Sequence, residues 1–271
     1  VCELLGMSAN VPTDLCFSFT GLLQRGGGTG PHRDGWGVVL YEGQGIRAFR
    51  DWAPSVSSEI AQLVSRLPMK SCIAISHIRE ANVGAVNLEN THPFVRELFG
   101  RNWTFAHNGQ LADTHELALG DFTPVGSTDS EWAFCWLLAR IRERFACGDS
   151  LNCDEPAYWQ QLHQWCNALS PRGVANFLFS DGRYLFAYCA TKLSWITRRA
   201  PFGEARLSDS DLAVDFGEHT TANDIVTVIA TNPLTTNERW HAMSAGEFIV
   251  FDRGEIAYRA GDTQRNNSQT Q

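Results

Sequence analysis

Seven short runs rich in Val, Ile, Leu and Phe are distributed over most of this chain, and they constrain its fold more than any other feature. They are Trp36 to Tyr41, Cys72 to Ile78, Trp103 to His107, Ala175 to Ser180, Leu185 to Cys189, Val226 to Ala230 and Glu247 to Asp252. Each is strand-sized, and an apolar run of that length can pair its backbone only in a sheet. Seven such runs amount to at least two sheets. Helical spacing is found at Ser57 to Arg66, at Ser130 to Phe145 and at Pro156 to Leu169, so helices separate groups of strands. Asp181-Gly182 and Asp252-Arg253-Gly254 are hairpin signals, which predict antiparallel neighbours and an α+β class. No repeat and no Pro- or Ser-rich linker divides the 271 residues, so residues 1–260 are read as one domain and the polar stretch 261–271 as a frayed tail.

Composition narrows the function. Apolar residues are 44% of the chain, with nine Trp and sixteen Phe, enough for a large core. Lys plus Arg number 22 against 30 Asp plus Glu, a net charge of −8, so there is no general positive field to hold a nucleic acid. The longest apolar stretches fall far short of the roughly 20 residues a bilayer span needs. The N-terminus carries neither a basic segment nor a long apolar one, and a cytoplasmic, non-exported protein is expected. On that reading the glycosylation sequons at Asn102 and Asn266 carry no weight. The eight cysteines lack C-x-x-C pairs, which suits reduced thiols, with Cys135, Cys147, Cys153 and Cys166 as fillers of helices or loops. No histidine spacing implies a metal, and no dissociable cofactor is implied.

Four clusters carry possible chemistry. Cys2 becomes the terminal residue if residue 1 is removed, and an α-amine with a pKa of about 7.7–8.0 can then take the thiol proton without a separate histidine. Position alone also suits an ordinary small apolar residue that opens a strand. Arg79 follows the strand that starts at Cys72, where its planar fork can grip a carboxylate or serve a structural ion pair. Asn108-Gly109 follows the Trp103 run and reads as a tight turn or as two donors to an oxyanion. Asp129 lies in Ser127-Thr128-Asp129-Ser130 at a helix start, either as part of a cap or as a carboxylate for a substrate ammonium. Together these parts would suit hydrolysis of the side-chain amide of an α-amino acid.

At this point the chain resembles the class II glutamine amidotransferases, whose glutaminase domains are N-terminal nucleophile hydrolases. The resemblance rests on Cys2-Glu3-Leu4-Leu5-Gly6-Met7, Arg33-Asp34-Gly35-Trp36-Gly37, His77-Ile78-Arg79, Asn87 to Phe94, His107-Asn108-Gly109, Ser127 to Ser130 and Ile229 to Leu234. It implies a four-layer αββα sandwich of two antiparallel sheets. It also implies that Cys2 is the nucleophile, that Arg79 and Asp129 hold the substrate carboxylate and ammonium, and that Asn108 and Gly109 form the oxyanion hole. Asn82 and His92 fall in pocket-forming stretches of the family. The Gly26 to Gly30 run lacks the setting of a phosphate loop and is expected as a loop near the pocket. The resemblance implies glutamine as substrate, attacked through a γ-glutamyl thioester with release of ammonia, and a separate synthase as a possible partner. A γ-glutamyl peptide or γ-glutamyl thiol compound is the alternative substrate. Val1 precedes Cys2 where an initiator Met is expected, and a residue retained there would turn the amine into an amide and leave a non-catalytic binding protein.

Overall fold

The structure is a computed structural model that describes residues 2–81, 84–145, 156–215 and 221–261. In chain order the first elements are β1 (Glu3–Asp14), α1 (Cys16–Gln24), β2 (Trp36–Glu42), β3 (Gly45–Asp51), α2 (Glu59–Val64) and β4 (Lys70–Ile78). Then come β5 (Phe94–Leu98), β6 (Arg101–Leu111), α3 (Asp129–Phe145), α4 (Pro156–Leu169), β7 (Gly173–Ser180), β8 (Leu185–Cys189) and β9 (Ser194–Arg199). The last are β10 (Glu204–Arg206), β11 (Ala213–Asp215), β12 (Ile225–Ala230), β13 (His241–Ala242), β14 (Glu247–Asp252) and β15 (Glu255–Ala260).

Among the described residues the strands make two large antiparallel sheets, ordered β13-β9-β12-β1-β4-β2-β3 and β15-β14-β8-β7-β6-β5, and a small ribbon of β10 and β11. Leu4, Ile75, Ala106, Leu178, Leu185 and Ile229 meet between the sheets. Leu5, Met7, Ala74 and Ile78 turn to the opposite face of the first sheet, where Leu22 of α1 and Ala61 of α2 cover them. Phe105, Phe177 and Phe179 of the second sheet pack against Phe134 of α3 and Leu162 of α4. The result is the four-layer αββα sandwich, and the gap between its sheets houses one set of alternate side chains from each central strand. Central strands are covered on both faces, which is why they read as near-continuous apolar runs.

Register then determines the position of the chemistry. Glu3 of β1 pairs with Ile78 of β4, so Cys2 lies beside Arg79 and Glu80 where β4 ends. Alternation places Leu4 and Ile75 in the inter-sheet gap, and Cys2, His77 and Arg79 share their parity. On β6, Ala106 belongs to that gap and Phe105 to the helix side, so Asn108 follows Ala106 inward. The run expected to end at His107 continues to Leu111, with Asn108 paired to Asn176 and Gly109 to Ala175. Asn108-Gly109 is therefore ladder, not a turn. Cys135 and Cys166 are buried on α3 and α4, whereas Cys147 and Cys153 lie outside the described residues. No described helix is long and apolar enough to cross a membrane.

Candidate active site

Cys2 is fixed from both sides of its backbone. Next to it, Glu3 is buried and accepts from Arg25 Nη1 at 2.9 Å and from Asn232 Nδ2 at 2.6 Å, so the start of β1 is pinned by a buried ion pair. Cys2 is itself buried, and its Sγ lies 3.3 Å from the Glu80 N–H and 3.4 Å from the Glu80 carbonyl. Burial pushes the thiol pKa up, and the Glu80 N–H and the Arg79 charge oppose that shift. Burial thus favours the thiol over the thiolate.

Arg79 is buried beside it and donates from Nη1 to the Ala85 carbonyl at 3.0 Å and from Nη2 to that of Gly84 at 3.4 Å. The Arg33 to Gly37 segment holds its backbone, with Asp34 N–H to the Arg79 carbonyl at 3.1 Å and Arg79 N–H to the Gly35 carbonyl at 2.8 Å. Gly37 is required by close approach: a Cβ there would lie 2.2 Å from the His92 carbonyl. Asn90 joins the two loops over the cleft, its Nδ2 reaching Ala85 O and Ser127 Oγ and its Oδ1 accepting from Ser127 N–H.

Asp129 opens α3. Thr128 Oγ1 accepts from Glu131 N–H at 3.3 Å, an N-cap, while the Glu131 carboxylate turns away to the Val125 and Gly126 N–H groups and to Arg96. Asp129 Oδ2 accepts from Leu111 N–H at 2.6 Å, which ties α3 to the end of β6. Its other oxygen is 3.3 Å from Ser130 Oγ, but that hydroxyl is closer, at 2.9 Å, to His107 Nδ1. His107 Nε2 lies 2.8 Å from the Val174 carbonyl, which can only accept, so Nε2 carries the proton and Nδ1 takes the single Ser130 hydrogen. Asp129 Oδ1 is left able to accept from a ligand.

Asn108 is fully buried; its Nδ2 donates to Thr231 Oγ1 at 3.1 Å and its Oδ1 has no partner among the described residues. Its backbone carbonyl accepts from Asn176 Nδ2 at 3.0 Å. His77 Nε2 donates to the His107 carbonyl at 3.1 Å, and the His77 ring packs against His92 with centroids 4.2 Å apart and planes tilted by 59°. Burial lowers the pKa of all three histidines, His77 to about 3, so all three stand neutral, His92 and His107 on the cleft wall.

A cleft of about 330 Å³, open to solvent, gathers Cys2, Arg79, His92, Gly109 and Asp129. Asn108 lies behind its wall, in the inter-sheet gap. Asn82 falls outside the described residues, and none of Gly26 to Gly30 lies on the wall. Glu80, His107, Thr128 and Ser130 also line it and were not singled out from sequence. Strand alternation signals His107, because it sets His107 opposite Asn108 and toward the helices. No group of three or more described His, Cys, Asp or Glu side chains is placed to hold a metal ion.

Such a cleft lies at one end of an αββα sandwich of two antiparallel sheets, an Ntn-type fold. The chain belongs to the class II glutamine amidotransferases, whose family model matches residues 1–271. It is 58% identical to YafJ of Escherichia coli (strain K12), a candidate glutamine amidotransferase, over 94% of this chain and 99% of that protein. A candidate glutamine amidotransferase of Haemophilus influenzae is 42% identical over 94% of this chain and 85% of its own. The crystal structure of a predicted glutamine amidotransferase from Pseudomonas aeruginosa PA01 superposes with a TM-score of 0.75 at 55% identity, covering 94% of this chain and 99% of that one. The glutamine phosphoribosylpyrophosphate amidotransferase of Bacillus subtilis shares the fold, with a TM-score of 0.60 at 16% identity over 96% of this chain and 49% of that enzyme. Membership makes this an enzyme of glutamine amide hydrolysis or transfer.

Proposed function

We propose that the protein hydrolyses the γ-amide of glutamine through a γ-glutamyl thioester on Cys2. The observation that carries this is the arrangement around the thiol: a buried Cys2 beside the Arg79 guanidinium, in one cleft with a carboxylate oxygen of Asp129 able to accept. Arg79 would grip the α-carboxylate and Asp129 the α-ammonium, so the γ-carbonyl is delivered to Cys2 Sγ. With residue 1 removed, the Cys2 amine accepts the thiol proton as sulfur adds to the carbonyl carbon. The oxyanion that forms is held by Gly109 N–H and the Asn108 carboxamide. Collapse expels ammonia, which leaves with that proton, and the thioester remains. Water then adds, its proton passes to the amine, and glutamate leaves as the thiol is restored. A separate synthase would take up the ammonia.

The test is steady-state glutaminase activity of the wild type, Cys2→Ala and Arg79→Ala, with the N-terminal peptide of each identified by mass. Cys2→Ala is expected to lose at least about 10³-fold in kcat. Arg79→Ala removes a charge-assisted contact of about 1.5–3 kcal/mol and should raise KM ten- to a hundredfold. Hydrolysis undiminished in Cys2→Ala would sink the mechanism.

A further inference from the structure

Thr231 immediately follows β12 in the first sheet, and its hydroxyl joins three elements of the site. Thr231 Oγ1 accepts from Leu4 N–H at 3.0 Å, two residues from the nucleophile, and from Asn108 Nδ2 at 3.1 Å across the inter-sheet gap. Its own N–H returns to the Leu4 carbonyl at 3.2 Å. All three residues are buried. We infer that Thr231 is the positioning residue of the oxyanion site: its hydroxyl fixes the Asn108 carboxamide relative to the strand that carries Cys2. This rests on the reading of Asn108 as an oxyanion donor and specifies what orients it.

The chemistry favours a hydroxyl over any apolar residue of the same shape. A carboxamide has a donor half and an acceptor half, and which half faces the nucleophile decides whether it attracts or repels a developing negative charge. Asn108 Oδ1 is buried without a partner, while Nδ2 spends one of its two N–H groups on Thr231. A half-turn of the carboxamide would let the Thr231 O–H donate to Oδ1 and would release both N–H groups. In the structure the hydroxyl oxygen accepts from Nδ2 and from Leu4 N–H, so the observed orientation is the one it holds. The Asn108 backbone is held independently by Asn176. Thr231 therefore governs the side chain alone.

The experiment is a double-mutant cycle on glutamine hydrolysis with Thr231→Val, Thr231→Ser, Asn108→Ala and the Thr231→Val/Asn108→Ala pair. Thr231→Val should lose about ten- to a hundredfold in kcat, the scale of a misplaced catalytic group, with KM within about threefold of wild type. Thr231→Ser should restore kcat. In the Asn108→Ala background the valine change should cost nothing further, because the group it positions is gone. A valine loss that persists in full without Asn108 would show that Thr231 acts through Leu4 and β1, and would overturn the inference. So would a kcat unchanged in Thr231→Val while Asn108→Ala is slow. An Asn108→Ala enzyme as fast as wild type instead removes the oxyanion reading itself. Should the valine variant fail to fold, Thr231→Cys keeps the size with a weaker hydrogen-bonding group and takes its place under the same criteria.

Discussion

A single methyl group is least tolerable at Gly109. Its φ is +153°, and an added Cβ would lie 1.9 Å from the Val174 carbonyl. That carbonyl also accepts the His107 Nε2 proton, which leaves Nδ1 to take the Ser130 hydrogen and Asp129 Oδ1 open. Gly109→Ala must therefore push β6 from β7, at a cost of about 1–3 kcal/mol in backbone strain alone. It would disturb Asp129 at the same time. Both the midpoint of thermal unfolding and kcat should fall, kcat by about 10²-fold or more if Gly109 N–H is an oxyanion donor. A variant with wild-type kcat and a lowered melting point would leave this glycine a purely structural role. Neither value changing would contradict the clash itself.

At the scale of elements, what could be read from the sequence depended on whether local signals and burial agreed. The helix expected at Pro156 to Leu169 is α4, and that expected at Ser130 to Phe145 is α3 with Asp129 added in front, because both carry a full amphipathic pattern. The first turn of α1 has no such signal: Leu15 stands at its N-cap without a side-chain hydrogen bond, so Phe17, Phe19 and Leu22 read only as scattered apolar residues. The strand that follows Cys2, β1, contains Gly6, Asn10 and Pro12 and shifts register between Ser8 and Thr13, which breaks the alternation that would reveal it. Asn108-Gly109 reads in sequence as a turn or as a pair of donors and not as ladder, because turn chemistry and a glycine demanded by a neighbouring carbonyl look alike in sequence. Sequence also gave no sign of the contact that joins the two sheets near β2. The Tyr41 hydroxyl bonds Asn102 O at 2.8 Å, Thr104 Oγ1 at 3.0 Å and Ser180 O at 3.1 Å, so a strand of the first sheet is bonded to β6 and β7 of the second. Tyr41→Phe strands these buried acceptors and should cost about 1–3 kcal/mol in urea unfolding. Glutamine turnover should be unchanged, since the bond lies away from the cleft.

For the whole molecule, three buried histidines tie stability to pH. His77, His92 and His107 are buried together, and burial holds each below the ordinary histidine pKa of 6.5, His77 at about 3. A group whose folded pKa is depressed is neutral in the native state while the unfolded chain takes up a proton. For a histidine this stabilises the fold above pH 6.5 and is lost as pH falls, until the native group also protonates, near pH 3 for His77. Between pH 7 and 5.5 His77 alone should remove about 1.3 kcal/mol, and His92 and His107 should shift stability in the same direction. The window matters because it lies above the range in which carboxylates ordinarily titrate. Denaturant unfolding at pH 7, 6.5, 6 and 5.5 should therefore show a progressive fall in stability. Replacing His77 by Gln, which has no proton to gain, should flatten that fall by one histidine's share. A stability independent of pH across this range would mean that the three rings are protonated, or reach water, in the native protein. Neutral rings also leave Arg79 and the Cys2 amine as the cationic groups proposed to act on substrate, so turnover should rise with pH as that amine loses its proton, near the ordinary α-amine pKa of about 7.7–8.0.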